Sequence, residues 1–178
     1  LCDLDFENVD KQVQIQFFNG HITFNGHTVK NLQINKKQCK VLAFDAYAFL
    51  FACVEGQSSV SDLTFVTHSP KVDYAAKLIG YTNFLGAKEV NEVLVENVEV
   101  TGVARFSDNN TGLFVYWAGS GTLHLKDCSN TASIYNTGYT GAFVGRCYVQ
   151  TETKLSYCTK MIFENCNNYG TIVNTNAN

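Results

Sequence analysis

Two apolar patterns recur alternately along the chain at intervals of ~30 residues, and such self-similarity limits the available folds more than any local feature. The first pattern is Val29-Lys-Asn-Leu-Gln-Ile34, Val60-Ser-Asp-Leu-Thr-Phe65, Val90-Asn-Glu-Val-Leu-Val95, Ser120-Gly-Thr-Leu-His-Leu125 and Thr159-Lys-Met-Ile-Phe163. Aligned on Leu32, Leu63, Val93, Leu123 and Met161, the copies are 31, 30, 30 and 38 residues apart. A second apolar residue follows each anchor two positions later, which is the period of a β-strand. After the last three anchors the chain reads Glu-Asn-Val, Lys-Asp-Cys and Glu-Asn-Cys, making Asn97, Asp127 and Asn165 equivalent, and then Val98, Cys128 and Cys166. The second pattern is Ala48-Phe-Leu-Phe-Ala-Cys53, Ala76-Lys-Leu-Ile-Gly-Tyr81, Thr111-Gly-Leu-Phe-Val-Tyr116 and Gly141-Ala-Phe-Val-Gly-Arg146, which aligns Leu50, Leu78, Leu113 and Phe143.

Val, Ile, Thr, Phe and Tyr fill these segments, and Gly, Asn, Asp and Ser fill the gaps between them, as strands and tight turns require. One such repeat cannot bury its apolar face alone, whereas stacked neighbours form a continuous core. The expected fold is all-β: a parallel β-solenoid of about five ~30-residue coils. A β-propeller needs a longer period of ~40–50 residues. Equivalent residues should form columns along the axis. Leu50, Leu78, Leu113 and Phe143 are expected in the core, Asn97, Asp127 and Asn165 in a polar corner ladder, and Cys128 beside Cys166. Residues 1–24 match the repeat weakly and read as a cap or lead-in coil, with residues 25–178 forming the repeats of one domain. The longer last step points to a small corner hairpin near 147–158. Its ends are Cys147 and Cys158, so a disulfide at its base is plausible.

The chain has 178 residues with a formal charge of -3, and only 16% of them are charged. It therefore lacks the basic footprint of a nucleic-acid binder. No apolar run approaches the ~18 residues of a membrane-spanning helix, so no membrane insertion is expected of this segment. Because it begins at Leu1, the chain reads as a processed product or a piece of a longer protein. Seven cysteines, none spaced as C-x-x-C, give no zinc motif and leave an odd thiol. Small buried hydrophobes and disulfides are both open readings for them.

Candidate chemistry is sparse. His21 and His27 each follow Asn-Gly and could share a metal ion if brought side by side, but no third ligand is evident, and solvated turns are the plainer reading. His68 and His124 have no sequence partner. Asp3, Asp5 and Glu7 alternate with Leu4 and Phe6, as a solvated strand face or a weak calcium site would. No paired catalytic carboxylates, nucleophile elbow, P-loop or dinucleotide fingerprint is found, so no catalytic residue, cofactor or metal is expected. Asn109-Asn110-Thr111 is an N-glycosylation sequon. Tyr81, Tyr116 and Trp117 fall near one corner of neighbouring coils. There they either fill the interior or form a contact strip for sugar or protein.

Asn25-Gly-His-Thr-Val-Lys-Asn-Leu32 resembles the opening coil of GLUG-type repeat proteins of bacteria and protists. Thr111-Gly-Leu-Phe-Val and Gly141-Ala-Phe-Val-Gly145 are similar to their recurrent "G-x-L/F-V-G" element, and Cys166-Asn-Asn-Tyr-Gly-Thr-Ile172 to the "C-x-N-x-G-x-I" strand and turn that follows. The resemblance covers residues 20–173. It implies a module of a large surface or secreted protein, adhesins included. The function expected is non-enzymatic: a stiff extracellular or surface rod that binds a protein or glycan partner, or assembles through its ends. The alternatives are a carbohydrate-binding or polysaccharide-degrading β-helix protein and an intracellular filament-associated component.

Overall fold

A computed structural model describes residues 2–9, 13–32, 40–41, 44–45, 49–68, 75–83, 91–106, 110–150 and 155–175. Among these the regular structure is entirely β-strand. The strand pairs are parallel, apart from two small hairpins. A broad sheet runs in the order Leu4–Asp5, His21–Lys30, Ser58–Val66, Glu92–Thr101, Gly121–Lys126, Leu155–Glu164, Tyr148–Gln150. A second runs Val144–Arg146, Val115–Ala118, Lys77–Thr82, Phe49–Val54, Ile15–Phe18. A third joins Val103–Arg105, Ser133–Asn136 and Ile172–Asn174, and a two-stranded pair joins Asn110–Gly112 to Tyr139–Gly141. The chain visits these sheets in turn, so hydrogen-bonded neighbours come from successive passes.

Alternation decides what faces inward. Along Glu92–Thr101, Val93, Val95, Val98 and Val100 are buried while their neighbours are at least partly exposed. Two apolar pairs flank Asn97, which has φ 52°. That left-handed residue advances the alternation by one, so the inward set moves from odd to even positions. The inward side chains meet Phe51, Leu78, Ile79 and Val115 of the second sheet, with Leu113 and Phe114 just before Val115, in one core.

The register bears out some of the expected columns and corrects others. Val93, Leu123 and Met161 lie side by side, with steps of 30 and 38 as expected. Leu63, however, pairs with Val98 and His27, not with Val93 and Leu32; Val93 pairs with Ser58. The copies Leu63-Thr-Phe65 and Val93-Leu-Val95 belong to opposite halves of their strands, on either side of the left-handed residue.

In the second sheet Phe49 pairs with Lys77 and Phe51 with Ile79, which puts Leu50 beside Leu78 as expected. Next, Ile79 pairs with Val115 and Val115 with Val144, so Phe114, not Leu113, stands between Leu78 and Phe143. The amides of Leu78 and Ile79 donate to Leu113 O and Phe114 O (2.9 Å each), with the same offset for both. Corrected in this way, Gly112-Leu-Phe-Val115 aligns with Gly141-Ala-Phe-Val144. The small residue is required: a Cβ on Gly112 would lie 2.3 Å from the Gly145 amide nitrogen.

The hairpin near 147–158 is present, with Tyr148–Gln150 antiparallel to Leu155–Tyr157. The proposed cap boundary at 24/25 falls inside the strand His21–Lys30, which is already a full member of the broad sheet.

Candidate functional site

The outer face of the broad sheet carries polar columns, and each begins in the local chain geometry. The left-handed corner holds Asp62 (φ 56°), Asn97 (52°), Asp127 (51°) and Asn165 (51°) on successive strands. Asp and Asn tolerate this conformation better than other residues with a Cβ. Here they also alternate. Asn97 Nδ2 donates to Asp62 Oδ1 (2.8 Å) and Asn165 Nδ2 to Asp127 Oδ1 (3.0 Å). Thr23 Oγ1 adds a bond to Asp62 Oδ2 at 2.9 Å. The Asn97 amide, followed by Thr23 and Ser61, holds the Asp62 carboxyl below its ordinary range. The expected Asn97/Asp127/Asn165 ladder therefore exists and extends to Asp62.

Beside it, Lys126 Nζ donates to Glu96 Oε1 at 2.6 Å, which raises the Lys126 pKa. His124 lies between two carboxylates, with Nδ1 3.1 Å from Glu92 Oε1 and Nε2 3.4 Å from Glu164 Oε2. The second contact is an ion-pair distance without hydrogen-bond alignment. Three successive strands are thereby bridged by one imidazole. His21 and His27 have separate partners, Ser59 Oγ (2.9 Å) and Asp3 Oδ1 (3.4 Å). Asp3 and Asp5 fold back over the edge of the strand His21–Lys30. Asp3 Oδ1 accepts from the Thr28 amide, and Asp5 accepts from Asn31 Nδ2 (2.8 Å) and pairs with Lys30 (3.2 Å). The Asn31 amide, then the Glu7 backbone N–H, pulls the Asp5 carboxyl down to about 2.

Tyr81 and Tyr116 are buried and Trp117 is partly so. They pack together with Phe49, ring centroids 5.4–6.2 Å apart. This corrects the contact-strip reading: the two tyrosines fill space. Lys77 joins them fully buried, its Nζ 4.5 Å from the ring centres of both Phe106 and Tyr116. Asn109 of the sequon lies outside the described residues. Cys147 is an exposed free thiol. The Cys158 backbone pairs with Gly121, while its side chain lies outside the described residues. Cys128 and Cys166 adjoin in one column, and burial pushes the Cys128 thiol up to about 12, away from thiolate chemistry.

The apolar columns end abruptly at the last strands. Leu123, Leu125 and Ile134 are 1%, 0% and 0% exposed, while their column neighbours Met161, Phe163 and Ile172 are 41%, 49% and 42% exposed. These residues continue the inward faces with nothing described beyond them. A depression of about 370 Å³ lies here, lined by Phe143, Val144, Arg146, Met161 and Phe163 among others. Full burial of such a side chain contributes about 1.5–3 kcal/mol.

Sequence reasoning missed the Glu92–His124–Glu164 bridge, the contact of buried Asn130 with the Asn168 amide (2.7 Å) and Lys77. The second was within reach, because the step of 38 that aligns Leu123 with Met161 also aligns Asn130 with Asn168. Comparison with family models, curated proteins and solved structures gave no match.

Proposed function

We propose that this chain is a β-solenoid module with a non-enzymatic, structural or adhesive role, extracellular or at a cell surface. It acts as a stiff rod whose side faces and ends make the contacts. The observation that carries the reading is the in-register columns. Inward positions repeat apolar residues from strand to strand, and outward polar groups bond along the same direction (Asp62–Asn97, Glu96–Lys126, Asp127–Asn165). Side chains so committed to one another give stiffness instead of converging on a substrate. Small-angle scattering tests the shape directly: an elongated profile with a constant cross-section is expected, and a spherical one overturns the rod.

A carbohydrate-binding role is the second reading. It is favoured by a shallow hollow of about 200 Å³ on the outer face, lined by His21, Gln57, Ser59, Glu92 and Leu94 among others. Glycan-array binding together with a reducing-sugar release assay separates the two. Binding without release supports a lectin-like rod, and release establishes an enzyme. Cellular location has its own test in thiol counting under denaturing, non-reducing conditions. Cys2, Cys128, Cys147 and Cys166 carry free thiols in this structure. Thiols that remain free in protein from its native source would place the module in a reducing compartment, as the filament-associated alternative requires.

A further inference from the structure

We propose that Asn25 is a site of spontaneous deamidation, whereas Asn19, in an identical tetrapeptide, is protected by the fold. The inference goes beyond the rod reading and does not depend on it, since it uses only the local pairing of neighbouring strands.

Phe18-Asn-Gly-His21 and Phe24-Asn-Gly-His27 repeat the same residues. In an Asn-Gly step the glycine amide nitrogen attacks the carbonyl carbon of the Asn side chain. A C–N bond forms, the side-chain nitrogen leaves as ammonia, and a cyclic imide results. Water then opens the ring at either carbonyl and gives aspartate or isoaspartate, so the net exchange is water in and ammonia out. Glycine favours ring closure because no Cβ stands beside the attacking nitrogen and the backbone turns freely. Local sequence is equal for the two steps, so the surrounding structure decides between them.

Asn19-Gly20 is tied down. Phe18 O accepts from the Glu55 amide (2.8 Å) and Gly20 O from the Ser59 amide (2.9 Å). The Gly20 N–H, which is the attacking group, donates to Oγ of buried Ser58 (3.0 Å). A Cβ on Gly56 would lie 3.0 Å from Asn19 Nδ2, so the Asn19 carboxamide is packed against the next pass. Ring closure there has to break the Gly20–Ser58 bond and lift the side chain away. Asn25-Gly26 instead lies in a break of the ladder. Thr23 pairs with Ser61 and His27 with Leu63, so residues 24–26 face the single residue Asp62 and have no assigned partner among the described residues. Both are exposed, and a Cβ on Gly26 would meet nothing within 4 Å. Asn25 touches Thr23 Oγ1 through its N–H (3.3 Å) and its Oδ1 (3.4 Å), and neither contact engages the Gly26 nitrogen.

The product acts on Asp62. Thr23 has one hydroxyl proton, which goes to Asp62 Oδ2 (2.9 Å). A carboxylate at position 25 brings a second acceptor and a like charge to that hydroxyl, at the corner where Asp62 also receives the Asn97 amide. Isoaspartate further adds a methylene to the main chain between Thr23 and His27. Either product loosens the strand His21–Lys30 from Ser58–Val66.

Incubation of the 178-residue chain at mildly alkaline pH, followed by peptide mass mapping over time, tests this. Asn25 should convert at least about fivefold faster than Asn19, the factor that one hydrogen bond supplies. In urea both steps should convert at one rate, because the tetrapeptides are the same. Ser58→Ala, checked for fold by circular dichroism, should speed conversion of Asn19 and leave that of Asn25 unchanged; if it does not fold, the urea comparison carries the test. Asn25→Asp, which carries the aspartate product, should speed amide exchange across His21–Lys30. The proposal is overturned by equal rates in the folded protein, by faster conversion of Asn19, by a difference that survives in urea and so belongs to sequence, or by a folded Ser58→Ala chain in which Asn19 stays slow. Exchange in Asn25→Asp that matches the parent chain overturns the consequence drawn for Asp62.

Discussion

Asp62 shows how much one residue does in this architecture. It holds a left-handed backbone at φ 56° and accepts bonds from Asn97 Nδ2, Thr23 Oγ1 and Ser61 Oγ. Placing an ordinary L-residue in that conformation costs roughly 1–2 kcal/mol, and each partly exposed bond contributes about 0.5–1.5 kcal/mol. Asp62→Ala should therefore destabilise the chain by about 2–3 kcal/mol. Asp62→Gly, which restores the backbone freedom and loses only the bonds, should recover about half of that. Urea denaturation measures both, and equal losses in the two variants would show that the backbone conformation contributes nothing.

Asp5 gives a prediction in acid. Its folded pKa, about 2, lies below the ordinary 3.8, and Asp3 is shifted in the same direction. A depressed carboxyl stabilises fully above its unfolded pKa, and the contribution is lost as pH falls through the folded value. The N-terminal strand should thus stay docked from neutral pH down to about 4 and loosen between about 4 and 2. The Asn31 side-chain amide resonance reports it, and a transition centred at pH 4 or above would refute the pairing.

At the scale of the strand, legibility depended on one ambiguity. The all-β class, the paired recurrence and the Val93/Leu123/Met161 column followed from alternation and spacing, because burying every second side chain is a property of the sequence itself. The register of the earlier strands did not follow. The strand Glu92–Thr101 carries apolar-x-apolar twice, as Val93-Leu-Val95 and Val98-Glu-Val100, and periodicity cannot tell which half matches Leu63-Thr-Phe65. The left-handed Asp or Asn between them does so, and aligning Asp62 with Asn97 places Leu63 against Val98. For the polar columns, Asn97/Asp127/Asn165 was readable as identity at a fixed step. His124 with Glu92 and Glu164 was not, since those three occupy different columns and meet diagonally.

Strand ends also have fixed geometry. Gly121 sits at φ 84°, where a Cβ would fall 2.4 Å from the Asn91 carbonyl oxygen. Gly121→Ala adds left-handed strain to overpacking and should destabilise by about 2–4 kcal/mol. Thermal denaturation checks this, and a variant melting with the parent would mean that the turn relaxes freely.

For the whole molecule, each strand's neighbours set its stability. The proposed solenoid would be stabilised by contacts between adjacent passes, so its local stability should vary along the axis and not with depth from a spherical surface. The strands Ser58–Val66, Lys77–Thr82 and Glu92–Thr101 have a partner on both sides and core side chains that are almost wholly buried. Among the described residues, Ile172–Asn174 has a partner on one side only, and Ile172 is 42% exposed. Native-state hydrogen exchange should therefore rank the amides of the middle strands slowest and those of 159–175 fastest, with the N-terminal strands between them, since Asp3 and Asp5 tie down that edge. A charge at Phe163 should speed exchange in the last pass and leave the strand Lys77–Thr82 unaffected, because nearest-neighbour stabilisation fades within a rung or two. Uniform exchange from all strands, at the free energy of global unfolding, would mean that the columns cooperate as one block and would remove the axial gradient.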